Sequence, residues 1–200
     1  ITSNNGCIDS ITKSQAAIYP QPKADFTIPA EVCDRTVVSF TDASNGITHP
    51  LTKWEWRFIN SAGIVVGSSV NKDTIFRFPV AGTYTVRYWV FTNQGCVSDT
   101  MERTITVNPL PTAINSLSLP LCEKNQITIT DNSTPNAGTL VRWYWNLGDG
   151  TIINATNNPP ITHTYSNWGN KITKLMVESS KGCLSDTLTK NVLINPLPKV

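Results

Sequence analysis

Trp143-Tyr144-Trp145-Asn146-Leu147-Gly148-Asp149-Gly150-Thr151 decides how this chain folds. Side chains two apart on a strand share a face, so Trp143, Trp145 and Leu147 line one apolar side. Gly148-Asp149-Gly150 then reverses the chain. The glycines admit positive φ, and the aspartate can hydrogen-bond back to its own turn. An apolar strand closed by a tight turn is therefore expected here, with Trp145 in the core.

The same plan recurs through the chain. Asn5-Gly6-Cys7-Ile8-Asp9-Ser10, Gln94-Gly95-Cys96-Val97-Ser98-Asp99-Thr100 and Lys181-Gly182-Cys183-Leu184-Ser185-Asp186-Thr187 share one pattern, their cysteines 89 and then 87 residues apart. Cys33 and Cys122 are 89 apart, as are Trp54 and Trp143, and Trp56 and Trp145. Asn108-Pro109-Leu110-Pro111 and Asn195-Pro196-Leu197-Pro198 repeat as linkers, with Tyr19-Pro20-Gln21-Pro22 as a third version. A period near 88 residues with Pro-x-Pro punctuation indicates tandem β modules. Residues 1–22 read as the last strand of a preceding, truncated module, 23–110 as one whole module and 111–200 as a second. Ile1 opens in mid-pattern, so the sequence is expected to be a piece of a longer chain.

Within the first whole module, alternation and β-rich composition place strands near 24–28, 36–41, 53–58, 64–66, 74–78, 83–92 and 97–107. The second repeats them near 112–116, 126–130, 141–147, 151–154, 161–165, 171–177 and 184–194. Composition agrees: of 200 residues only 15% are charged, six are Trp, and the net charge is +2. Lys and Arg are scattered, which argues against nucleic acid as a partner and against a polybasic membrane anchor. No apolar run approaches the ~20 residues of a membrane-spanning helix.

The Trp-strand and its Gly-Asp-Gly-Thr turn resemble the Trp-Asp-Phe-Gly-Asp-Gly-Thr signature of PKD (polycystic kidney disease) domains, with Asn146 for the Asp and Leu147 for the Phe. Pro160, His163, Tyr165 and Gly169 follow that family's second hallmark loosely. In the first module Ile59-Asn60-Ser61 stands in place of the turn, and Gly82-Thr83-Tyr84-Thr85-Val86 resembles the family's sixth strand. The resemblance implies an all-β fold of tandem immunoglobulin-like sandwiches, with Trp56 and Trp145 as the core tryptophans. The Cys-bearing repeats resemble PKD arrays on surface proteins of the Bacteroidetes, including gliding-motility-associated adhesins. That likeness implies an extracellular or cell-surface location. In that group Asp followed by Ser or Thr and an apolar residue is an O-glycosylation sequence, which nominates Ser10, Thr74, Thr100 and Thr187.

Chemistry is sparse. Asp149 could contribute to a calcium site, but only Asn146 stands near it, and an aspartate capping its own turn is the expected role. His49 and His163 form no Ser-His-Asp arrangement, and the five cysteines contain no Cys-x-x-Cys pair. No catalytic residue, metal or cofactor is expected. Two cysteine schemes stay open. Cys33 and Cys96 fall at opposite ends of a sandwich, roughly 30 Å apart along the sixth strand, so Cys33 can instead staple the first module to Cys183 of the second. Cys7, Cys96 and Cys122 would then await partners in other repeats. The rival scheme pairs Cys33 with Cys96 and Cys122 with Cys183.

The expected function is a non-catalytic stalk or fibre segment whose partners are adjacent modules or neighbouring copies. A polysaccharide-binding module, or an accessory domain of a secreted hydrolase, is the alternative. Among Trp54, Trp89, Trp143 and Trp168, exposed rings would favour sugar binding and buried ones the stalk.

Overall fold

The computed structural model describes residues 4, 5, 17–157 and 160–198. Every regular element among them is a strand. The first eight are β1 (Phe26–Thr27), β2 (Glu31–Cys33), β3 (Val37–Asp42), β4 (Leu51–Asn60), β5 (Val65–Ser69), β6 (Thr74–Arg77), β7 (Gly82–Thr92) and β8 (Met101–Asn108). They form two sheets, ordered β1-β3-β6 and β2-β8-β7-β4-β5. The next seven are β9 (Asn115–Leu117), β10 (Gln126–Asp131), β11 (Leu140–Asn146), β12 (Ile152–Ala155), β13 (Ile161–Thr164), β14 (Gly169–Ser179) and β15 (Leu188–Ile194). They give sheets β9-β10-β13 and β12-β11-β14-β15. Each pair of sheets encloses its own core, so the fold is all-β and built of sandwiches.

Period-two patterning drives both. On β7, Tyr84, Val86, Tyr88 and Val90 point inward while Arg87 faces solvent. In the first core Trp56 is fully buried, stacked on Tyr88 at 3.8 Å between ring centroids and met edge-on by Phe26 at 5.2 Å. In the second, Trp143, Trp145 and Leu147 are all buried with Leu175, Val177 and Ile194. Tyr84 Oη donates to Val80 O at 2.8 Å, the corner that fastens the start of the sixth strand of such sandwiches.

Two features depart from the sequence reading. β2 was not anticipated: three residues, Glu31–Cys33, pair parallel with the end of β8. They give no alternation to read, and their pairing is purely long-range. The last strands also begin later than the composition suggested, at Met101 and Leu188 rather than at 97 and 184. Ser98 explains the first. Its N–H donates to Val90 O at 3.0 Å and its Oγ accepts from Val90 N at 3.1 Å, so the side chain takes over one of the two backbone bonds, and pairing at the expected start is reduced to single bridges, Val97 to Phe91 and Leu184 to Glu178. Ser185 does the same to Val177 at 2.9 and 3.0 Å. The segment expected to form a strand before residue 19 lies almost wholly outside the described residues.

Candidate functional site

The two sandwiches meet at a clasp. On the first, Cys33 ends β2, where Asp34 N donates to Asn108 O at 2.7 Å and Thr36 N to Cys33 O at 3.2 Å. Arg35 turns the chain there with a φ of 65°. On the second, Cys183 follows Gly182, whose φ is 74°. Ser179 N donates to Cys183 O, and Gly182 N to Ser179 O, both at 2.9 Å. Cys33 and Cys183 are disulfide-bonded across the junction, with Cα atoms 5.5 Å apart and 150 residues between them in sequence. This bond occupies Cys183 and Cys33, so the in-module pairs Cys33–Cys96 and Cys122–Cys183 do not form. Cys96 and Cys122 are free and half-buried. Cys7 lies outside the described residues.

Two ion pairs flank the bond. Arg35 Nη1 reaches both carboxylate oxygens of Asp186, at 2.8 and 3.1 Å. Lys181 Nζ lies 3.0 Å from Glu31 Oε2, which also accepts from Asn108 Nδ2 at 3.0 Å. The Asn108 amide, with Lys181 beside it, holds the Glu31 carboxyl below the usual carboxylate range. All four charged side chains are solvent-exposed, so salt screens these pairs and they orient the junction more than they hold it. The peptide linker supplies the other connection. Asn136 Nδ2 donates to Leu110 O at 2.7 Å and Thr112 Oγ1 at 3.0 Å, binding the Pro-x-Pro segment to the second sandwich. A linker and a disulfide make two attachments, and two attachments restrict bending and twisting that one would permit.

The Gly-Asp-Gly turn is a structural lock. Asn146 Oδ1 accepts from Gly148 N at 2.9 Å and Asp149 Oδ1 from Thr151 N at 3.0 Å. Asp149 Oδ2 lies 2.8 Å from His163 Nε2, and Tyr165 Oη donates to Leu147 O at 2.9 Å. The turn is thus tied to β13 and the residue after it. Gly148 has a φ of 81°, and a Cβ there would lie 2.7 Å from the backbone of Ile172, so no other residue fits. Gly150 also has positive φ. In the first sandwich Asn60 stands in for Asp149: its Oδ1 accepts from Ala62 N at 3.0 Å and Ile64 N at 2.9 Å. Among the described residues no group of three or more His, Cys, Asp or Glu converges to hold a metal ion.

Burial raises the Asp149 pKa, but hydrogen bonds from Thr151 and His163 outweigh it and leave the carboxyl below its ordinary value of 3.8. A depressed pKa means stability that is fully present above the unfolded value and lost as pH falls through the folded one. Asp149→Ala is therefore expected to destabilise the second sandwich by about 1.5–3 kcal/mol at neutral pH. That deficit should shrink below pH 4, as the wild-type carboxylate protonates. Denaturant titrations at pH 7 and pH 2.5 check it, and a pH-independent difference would contradict the electrostatic part.

One repeated device escaped the sequence reading. Asp42 and Asp131, the last residues of β3 and β10, accept from Trp54 Nε1 at 3.2 Å and Trp143 Nε1 at 2.8 Å. Tyr88 Oη, its pKa raised by burial, also donates to Asp42, at 2.7 Å. The signal was present, since both Asp residues precede their Trp by 12 positions. Trp89 is half-buried under the Arg57 guanidinium, 5.5 Å from the ring centroid. Trp168 alone among the described tryptophans is well exposed, at 62%. Thr74 is half-buried at the start of β6, while Thr100 and Thr187 are exposed immediately before β8 and β15. Ser10 lies outside the described residues. Among those residues no helix is long and apolar enough to cross a membrane.

Residues 108–194 match the PKD domain family, so the second sandwich contains a PKD domain. Among solved structures, the chain is similar to the PKD1 domain of Vibrio anguillarum Epp, with 21% identity over 45% of this chain and 99% of that one (TM-score 0.39). It is also similar to the fibronectin(III)-like modules of Clostridium thermocellum CbhA, with 14% identity over 86% of this chain and 95% of that one (TM-score 0.42). A third similarity is to carbohydrate-binding modules of the β-sandwich superfamily, with 14% identity over 90% and 86% (TM-score 0.38). No curated protein matches the chain.

Proposed function

We propose that this chain is a non-catalytic spacer of an extracellular, cell-surface protein, in which consecutive sandwiches are cross-linked at their junctions so that the segment carries tension. The Cys33–Cys183 bond is the observation that carries the reading. A disulfide fits an oxidising compartment. Its position also sets the path of force. Pulled from both ends, the chain transmits load from residues before Cys33 directly to residues after Cys183. Trp56, Trp145 and β3–β14 lie inside the closed loop, shielded from extension, while β1 with Phe26 and β15 with Ile194 lie outside it. O-linked sugar on Thr74, Thr100 or Thr187 belongs to the same reading, with Thr100 and Thr187 open to a transferase. A polysaccharide-binding role is the weaker alternative: Trp168 offers one exposed ring rather than a platform.

Single-molecule stretching between the termini tests the proposal. With the bond intact, unfolding is expected to stop short. Reduction should release roughly 500 Å of additional contour length, from 150 residues at about 3.5 Å each. Equal contour lengths before and after reduction would overturn the load path.

A further inference from the structure

The two free cysteines sit in copies of the clasp. Cys122 is placed as Cys33 is. It bridges in parallel to Asn195 as Cys33 does to Asn108. Glu123 N donates to Asn195 O at 2.9 Å, matching Asp34 N to Asn108 O at 2.7 Å. Asn125 N reaches Cys122 O at 3.4 Å, matching Thr36 N to Cys33 O at 3.2 Å. Lys124 has a φ of 60° where Arg35 has 65°. Cys96 in turn reproduces Cys183. Thr92 N donates to Cys96 O at 2.9 Å and Gly95 N to Thr92 O at 3.0 Å, against 2.9 Å for both bonds around Cys183. Gly95 has a φ of 81° where Gly182 has 74°.

The flanking charges follow. Arg35 lies two residues after Cys33 and pairs with Asp186, three after Cys183. Lys124 lies two after Cys122, and Asp99 three after Cys96. The second flanking pair, Glu31 with Lys181, is not repeated, because Pro120 and Gln94 occupy those places. Asp99 Oδ1 accepts from Gln21 Nε2 at 3.1 Å, an exposed bond that an incoming cation can replace.

We infer that Cys122 with Lys124 and Cys96 with Asp99 are the two complementary halves of a second clasp, and that each binds the opposite half on another sandwich of this repeat. The inference rests on the spacer reading and makes it directional: the Cys122 end of one unit meets the Cys96 turn of the next, never its own kind. In bond formation one thiolate attacks a small-molecule disulfide such as oxidised glutathione, releasing one glutathione thiol. The second cysteine then displaces the other. The new S–S bond forms, the glutathione bond breaks, and two electrons and two protons pass to the two glutathione thiols.

A second copy of this chain is the probe. Cys7 stands at the same place in the period as Cys96, so the experiment uses the full chain carrying Cys7→Ser, incubated at high concentration in a glutathione redox buffer. A ladder of linear disulfide-linked oligomers is expected, with Cys96–Cys122 as the dominant new linkage in peptide mapping. Lys124→Glu or Asp99→Lys alone should slow linkage two- to five-fold, and the two together should restore it. A statistical mixture of Cys96–Cys96, Cys122–Cys122 and Cys96–Cys122 bonds, or no oligomers at all, would overturn the inference. Neither result touches the Cys33–Cys183 load path, which the stretching experiment reads separately. Circular dichroism of each variant excludes misfolding as the cause of a slow rate.

Discussion

Trp56→Ala is expected to destabilise the first sandwich by about 3–5 kcal/mol. Trp56 is fully buried, and alanine leaves a cavity bounded by Tyr88, Phe26 and Phe40, all of them locked in one aromatic cluster. Rigid rings collapse poorly into a void, which puts the cost at the upper part of the range. The indole also donates from Nε1 to Asn71 O at 2.9 Å, and the substitution orphans that carbonyl. Trp145→Ala should cost a similar amount in the second sandwich, where the side chain is 3% exposed. Trp168→Ala, at an exposed site, should stay within about 0.5 kcal/mol. Guanidinium unfolding followed by circular dichroism measures all three. A cost below 1.5 kcal/mol for Trp56→Ala would mean that the Phe cluster, not the tryptophan, organises the core.

What was legible in the sequence was local or periodic. Trp143, Trp145 and Leu147 announce a strand and its face by spacing alone, and Gly148 is a glycine for reasons that a turn signature already implies. The identity of the turn's partners was not legible. His163 reaches Asp149 from β13, 14 residues on, and only the sheet arrangement brings them to 2.8 Å. The cysteine pairing shows the same limit. Spacing put Cys33 and Cys183 in different modules and left two schemes open; the choice depends on how one sandwich docks on the next. β2 is the extreme case, three residues whose strand character comes entirely from β8. The alternation around Trp54 and Trp143 gave no hint of Asp42 and Asp131, because a hydrogen bond to a strand-end carboxylate leaves no mark in a hydrophobic pattern. Asp42 and Asp131 nonetheless repeat at the 89-residue offset. Repetition of a polar residue can therefore reveal a buried partner that hydropathy does not.

Removing the clasp should change the way the molecule unfolds as well as its stability. The Cys33–Cys183 bond closes a loop spanning 150 residues. Chain-entropy arithmetic then gives about 5 kcal/mol as the most the bond can contribute by restricting the unfolded chain. Much of that stabilisation acts between sandwiches. While one is folded, the bond keeps the ends of the other close together, so either sandwich makes the other's unfolded state less roomy. Cys33→Ser with Cys183→Ser is therefore expected to lower the midpoint of thermal unfolding and to resolve one transition into two, one for each core. The exposed pairs Arg35–Asp186 and Lys181–Glu31 survive the substitution. They are too weakly held in water to keep the sandwiches coupled, so adding Lys181→Glu to the double variant should shift the curves little further. Differential scanning calorimetry distinguishes the outcomes. If the double serine variant still melts in a single transition at the wild-type temperature, the sandwiches are coupled through the Pro109–Pro111 linker and its Asn136 contacts, and the disulfide is dispensable to the junction.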